Sequence, residues 1–225
     1  VVAPAINSSG AGCSITTNSP MQVTEHSNGF VSVTGKPADC VYLGIHELSP
    51  WQPDLVISGV NLGANMGEDL LYSGTVGAAL EAAGLDYPSI AISAAAFHQP
   101  GSKDHMEPNY TTAAKVVLDI LKNYKLETID PSLVLNINTP NIEFSADLEY
   151  KFTTIGSWGF RNPPHIIEDD EGTKTYWTTH RDLYPDNDEQ SDIFTLEKNM
   201  VSISPIYPNF SVKEVLNGSF TIEKR

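Results

Sequence analysis

Residues able to do chemistry are concentrated in "SGVNLGANMGEDLLYSGTVGAALEAAG" at 58–84. Asn61 and Asn65 bring amide oxygens, hard donors to a cation, and NH₂ groups that can donate to an anion. Gly59, Gly63 and Gly67 let the main chain take a left-handed conformation or approach a ligand closely. Ser73, Gly74 and Thr75 stand where an alanine-rich helix begins, and a helix start offers unpaired N–H groups and a positive dipole end to an anion. The set suits a phosphate gripped by backbone and hydroxyls, beside a metal ion held by oxygens. The same residues also serve an ordinary turn, with Ser73 or Thr75 as N-cap and Gly84 as the helix-ending glycine. One such loop leaves both readings open.

A second loop, "NSSGAGCSIT" at 7–16, follows the strand-like "VVAP" and places Ser8, Ser9 and Gly10 at a strand end. Alone it reads as a flexible Ser/Gly turn. Two such loops at one sheet edge describe a pocket. The acidic pair Glu68-Asp69 reads as capping or solvation ahead of the helix, with the outer shell of a metal as the other reading. "EDDEG" at 168–172 reads as a solvated acidic turn. His26, His46, His98, His105, His165 and His180 form no metal-binding spacing and are assigned to surface or packing. Asn7, Asn109, Asn209 and Asn217 open N-x-S/T patterns, too short to argue for a secreted glycoprotein by themselves.

The elements that must carry these loops alternate. "DLVIS" (54–58), "SIAIS" (89–93) and "LVLNIN" (133–138) are short apolar runs of the buried parallel-strand type. Helices are expected over about 38–48, 74–83 and 111–124, the last from Val117, Ile120, Leu121 and Tyr124 at helical spacing. Strand-helix alternation predicts an α/β fold, a mostly parallel doubly wound sheet flanked by helices, over 1–140. In such sheets ligands bind beyond the carboxyl ends of the strands, where both loops fall. From 141 to 225 the pattern turns β-rich, in "DLEYKFTTIG", "TKTYWTT" and "NMVSISPI". That part is expected to form an arm in which Trp158, Phe160, Tyr176 and Trp177 pack, covered by a neighbouring subunit in a homodimer or homotetramer.

With 13 basic against 28 acidic residues, the net charge of −15 excludes a nucleic-acid duplex and an anionic membrane as partners. A small anion stays eligible, because backbone N–H groups or a metal can supply a local positive field. Cys13 and Cys40 show no CxxC and no zinc spacing, so reduced thiols in a cytoplasmic protein are expected. No window resembles a membrane span or a signal peptide. "VVAP" opens the chain in mid-pattern, so a further strand and helix are expected upstream.

In order, "VVAP", "SSGAGCSIT", "GKPADCVYLG", "PDLVISGVNLGANMGEDLLYSGTVGAALEAAG", "PSIAIS", "LNIN" and "VSISPI" resemble the successive blocks of the SurE (survival protein E) family. The resemblance runs from residue 1 to about 208. It implies a Rossmann-like core, a divalent cation, Mg²⁺ or Mn²⁺, and hydrolysis of nucleoside 5′- and 3′-monophosphates to nucleoside and phosphate. It assigns Ser9 and Asn61 to the metal, and Asn65, Ser73, Gly74 and Thr75 to the phosphate. The family's two further metal ligands are adjacent aspartates of an "NDDG" motif, which does not occur in these residues; they are expected upstream of Val1. If their lack is natural, a nucleotide- or phosphate-binding protein without turnover is the alternative.

Overall fold

The computed structural model describes residues 1–96, 107–123, 130–159, 162–178 and 186–208. The central sheet has five strands, ordered β4(Val56–Leu62), β5(Ser89–Ala94), β6(Val134–Thr139), β10(Val201–Ile206), β7(Tyr150–Phe152). The strands β4, β5 and β6 are parallel, β10 runs antiparallel to β6, and β7 is parallel to β10. Every residue of β5 and of β6 is buried, as expected of central strands covered on both faces. A smaller sheet orders β1(Val2–Pro4), β3(Val31–Val33) and β2(Val23–Glu25), and a separate ribbon pairs β8(His165–Glu168) with β9(Lys174–Trp177).

The strand pleat sorts the core into two layers. Ile90 and Ile92 of β5 pack with Ala113, Val116 and Ile120 of α3(Tyr110–Asn123) on one face. Ala91 and Val134 pack with Val76, Ala79 and Ala83 of α2(Gly74–Gly84) on the other. The buried face of α2 is almost wholly glycine and alanine, which draws its axis close to both the sheet and α1(Pro37–Leu43). The helix expected over about 38–48 is α1 continued by a π-helical turn, Gly44–Leu48. Tyr124, expected in α3, lies outside the described residues.

Two differences from the sequence reading have local causes. The strand begun at 54–58 does not stop at Ser58; β4 continues to Leu62 through a bulge, because Ser58 opposes Ala91 and Asn61 opposes Ser93, leaving one extra residue on β4. Gly59 makes this feasible: its φ is +132° and a Cβ there would collide with the carbonyl of Ile92. The short helix α4(Asp192–Glu197) was not foreseen, since six residues carry too little periodicity to read.

After residue 141, β7 and β10 join the central sheet, whereas all eight residues of the β8–β9 ribbon are exposed. "EDDEG" forms its exposed turn, where Asp169 accepts from the N–H groups of Glu171 and Thr173. Trp158 is buried, Tyr176 and Trp177 are exposed, and Phe160 lies outside the described residues. The edge of β1 away from β3 and the edge of β4 away from β5 both border a groove of about 850 Å³, floored by Pro37, Cys40, Val41 and Gly44 of the α1 segment.

Candidate functional site

The two loops singled out by their residue types meet. Asn7, Ser8, Ser9 and Gly10 from the first, and Asn61, Asn65, Asp69, Tyr72, Ser73, Gly74 and Thr75 from the second, line one cleft of about 430 Å³. It lies past the carboxyl ends of β1 and β4, which belong to different sheets; the two loops expected at one sheet edge therefore meet across the groove between two sheets. The first loop is seated on α2: Gly12 N–H donates to the Tyr72 carbonyl at 3.0 Å. Gly77 permits this, since a Cβ there would stand 2.5 Å from the carbonyl oxygen of Gly12. Gly74 likewise leaves room for Pro37 and for the Ser8 carbonyl.

Each predicted residue has a defined setting. Asn61 Nδ2 donates to the carbonyls of Leu62 (3.1 Å) and Gly63 (2.9 Å), which fixes the amide, while its Oδ1 accepts from the Thr75 hydroxyl at 3.1 Å. Ser9 Oγ donates to Asn7 Oδ1 at 2.7 Å. Ser73 is the N-cap of α2, its hydroxyl accepting from Val76 N–H at 3.1 Å. The N–H groups of Gly74 and Thr75 have no acceptor within the helix and border the cleft. Asn65 is buried: its N–H donates to Asn138 Oδ1 (2.7 Å), its Nδ2 to Ser93 Oγ (2.7 Å), and its carbonyl accepts from Asn136 and Asn138 (3.0 Å each).

Several contributors were not foreseen. Asn136 and Asn138 were read only as strand residues; polar residues in an apolar β run were the available signal, and their amides tie β6 to the cleft floor. Glu68, half-buried in the first turn of the 3₁₀ segment Gly67–Tyr72, also ties that turn to a distant segment, for it accepts from Ser157 Oγ (2.6 Å) and Trp158 N–H (3.0 Å). Asp69, its neighbour, lines the cleft. Asp39 anchors the far end of the first loop, accepting from the Thr16 hydroxyl (2.6 Å) and from Lys36 N–H (2.7 Å). Burial pushes the Asp39 carboxyl up, but these bonds and the Lys36 charge outweigh it and hold the group below the usual carboxylate range.

His26, His46 and His165 stand outside the cleft lining, His26 bonded to Ser32 and His46 with its ring tilted against that of Tyr42. His98, His105, His180, Asn209 and Asn217 lie outside the described residues. Asn109 caps the start of α3, accepting from Thr112 N–H at 2.9 Å. Cys13 and Cys40 are free thiols, the first exposed and the second buried. No helix among the described residues is long and apolar enough to cross a membrane.

The donors suit a hard cation in kind, since Asn61 Oδ1, Ser9 Oγ and Asp69 are all oxygen ligands. Among the described residues no three His, Cys, Asp or Glu side chains cluster as a metal site. Two neutral oxygens and one carboxylate therefore make a partial set.

Comparison with known proteins agrees with this geometry. The family model described as Survival protein SurE matches residues 1–162. The 5′-nucleotidase SurE of Coxiella burnetii (strain Dugway 5J108-111) is 35% identical over 206 residues, 92% of this chain and 77% of that protein. The 5′/3′-nucleotidase SurE of Wigglesworthia glossinidia brevipalpis is 35% identical over 219 residues, 97% of this chain and 84% of that protein. The crystal structure of the SurE protein from Aquifex aeolicus superposes with a TM-score of 0.81 at 33% identity, covering 97% of this chain and 86% of that one. A mostly parallel α/β sheet, two loops meeting past the ends of β4 and β1 and similarity over nearly the whole chain lead to one conclusion: the chain belongs to the SurE family.

Proposed function

We propose that the protein is a metal-dependent phosphomonoesterase that hydrolyses nucleoside 5′- and 3′-monophosphates. The observation that carries this reading is the joining of Asn61 Oδ1 to Thr75 Oγ1 at the start of α2, which sets a hard-oxygen donor beside an anion-binding helix end. The names of the Coxiella and Wigglesworthia relatives support the same substrate class.

Each side chain then has a task. The N–H groups of Gly74 and Thr75 receive phosphoryl oxygens in the field of α2. Ser73 keeps that turn rigid by capping Val76. Asn65, locked by Ser93 and Asn138, fixes the cleft floor so that the phosphoryl group is held rather than followed. Ser9 and Asn61 would hold a Mg²⁺- or Mn²⁺-type ion, which supplies charge neutralisation for attack on a dianionic ester. Their neutral oxygens call for acidic partners. The groove between β1 and β4 opens into the cleft through Asn7, Ser9 and Asn61. A further strand laid there, ending in two aspartates as the family resemblance implies, would deliver them.

The test measures phosphate release from nucleoside monophosphates with Mn²⁺ or Mg²⁺. It compares the 225-residue chain, the same chain carrying an added N-terminal strand that ends in Asn-Asp-Asp-Gly, and Asn61→Ala in the longer form. Turnover in the longer form that Asn61→Ala abolishes supports the reading. Binding of AMP without turnover in every form would favour a nucleotide-binding protein instead.

For assembly, we propose a homodimer or homotetramer covering the β8–β9 ribbon, whose Ile166, Ile167, Tyr176 and Trp177 are about half or more exposed (51, 49, 59 and 62%). Ile166→Lys with Trp177→Glu should then reduce the species measured by light scattering; an unchanged mass rejects it. Free Cys13 and Cys40 support a cytoplasmic location.

A further inference from the structure

Asp192 is fully buried, yet its carboxylate is held by backbone N–H groups from three separate places. Oδ2 accepts from Gly67 at 3.1 Å, and Oδ1 accepts from Gly156 at 2.9 Å and from Ile193 at 2.8 Å. The neighbours of Gly67 are fastened to the same partner segment. Glu68 accepts from Ser157 and Trp158, and the Trp158 indole N–H donates to the Met66 carbonyl at 3.1 Å. Three consecutive residues, 66 to 68, are thus stitched to three others, 156 to 158, with Asp192 bonded to both strips.

Packing reinforces the stitch. Met66, Ala95, Trp158, Ile193 and Leu196 form their own buried cluster beneath it. Gly67 has φ +52°, and a Cβ would lie 2.9 Å from the Trp158 ring, so any side chain there is strained and displaces the indole. From this clasp the 3₁₀ turn Gly67–Tyr72 runs directly into the cleft wall, giving Asp69 and Tyr72, and then the Ser73 cap. The Tyr72 carbonyl in turn receives Gly12 N–H, beside Cys13.

We propose that Asp192, with Glu68, is a positioning residue that fixes the Met66–Tyr72 turn, so that Asp69, Tyr72 and the Ser73 cap stand where a bound phosphate ester needs them. Exchanging the carboxylate for an amide turns one of its two acceptors into an N–H donor facing the buried N–H of Gly67 or of Gly156, a penalty the turn relieves by moving toward water. The ligand part of this inference rests on the nucleotide reading; the positioning of the turn does not.

Asp192→Asn and the milder Glu68→Gln are compared in a Trp51→Phe, Trp177→Phe background, which leaves Trp158 as sole reporter. Three quantities are measured: Trp158 emission, the hydrogen-exchange rate of the Gly12 N–H, and AMP affinity with Mn²⁺. Asp192→Asn should red-shift Trp158, raise Gly12 exchange at least threefold through the loosened Tyr72–Gly12 bond, and weaken AMP at least tenfold. Glu68→Gln should move all three in the same direction by less, so a failure of Asp192→Asn to fold leaves the decision with it. Unchanged exchange of the Gly12 N–H, or a shifted Trp158 with unchanged AMP affinity, overturns the proposal. Absence of AMP binding by both the unsubstituted protein and the form carrying the added Asn-Asp-Asp-Gly strand rejects the nucleotide reading while the Gly12 exchange rate still judges the clasp.

Discussion

Gly77→Ala isolates the seating of the first loop on α2. In a helix interior this substitution ordinarily gains about 0.8–1.0 kcal/mol from backbone entropy. Here the new Cβ would meet the Gly12 carbonyl oxygen at 2.5 Å, its carbon at 2.9 Å and Cys13 Cα at 3.0 Å. All three are backbone atoms and cannot rotate aside, so the loop must lift. Overpacking of this kind costs about 1–3 kcal/mol, and the net effect is a destabilisation of about 1 kcal/mol. For a chain of this size that lowers Tm by about 2–4 °C. The larger effect falls on the site: lifting Gly12 carries Ser9 away from Asn61, and AMP affinity with Mn²⁺ should fall at least tenfold. Gly84→Ala is the internal control, because nothing lies within 4 Å of its Cβ position, and it should raise Tm slightly without touching affinity. Melts by circular dichroism and ligand titration decide the matter. If both variants raise Tm alike and bind alike, the close approach of the loop to α2 is not what holds Ser9.

Three further outcomes are expected. Ser73→Ala removes the cap on Val76 and should cost about 1 kcal/mol in urea unfolding, with weaker phosphate binding, whereas Ser73→Thr should retain most of both. The depressed Asp39 carboxyl contributes stability above its unfolded value of about 3.9, and this is lost as pH falls through that value toward the folded one. Asp39→Asn should therefore flatten the acid limb of a Tm-against-pH curve, and an identical limb would refute the assignment. Burial, with the neighbouring Asp39 charge, pushes the Cys40 thiol up to about 11. A thiol reagent at pH 8 should thus modify Cys13 alone in the folded protein and both cysteines in denaturant.

Much of the site could be read because its residues do two local jobs at once. Ser73 had to cap and Gly74 had to be small, so the triplet announced a helix start, and the apolar runs before Asn61 and Ser8 placed each loop at a strand end, although the two strands lie in different sheets. What could not be read is whatever depends on distant partners. Asp192 and Gly67 are 125 residues apart, and no local pattern connects them. Glu68 next to Asp69 looks like one acidic pair, yet tertiary packing turns one toward Trp158 and the other toward the cleft. The apolar run ends at Ser58, whereas β4 continues through Gly59, which makes the bulge that brings Asn61 to the cleft. The Asn136 and Asn138 side chains face Asn65 only once β6 is placed in the sheet.

The groove between β1 and β4 also has a cost in handling. Among the described residues β1 pairs only with β3 and β4 only with β5, and Ile57 and Leu62 are exposed beside the open edge at 45 and 65%. Such edges recruit strands from other molecules in solution. With no strand laid between them, concentrated samples of the 225-residue chain should show concentration-dependent thioflavin binding, and the form carrying the added N-terminal strand should not. A lysine at position 57, pointing charge into the slot, is the remedy natural edge strands use.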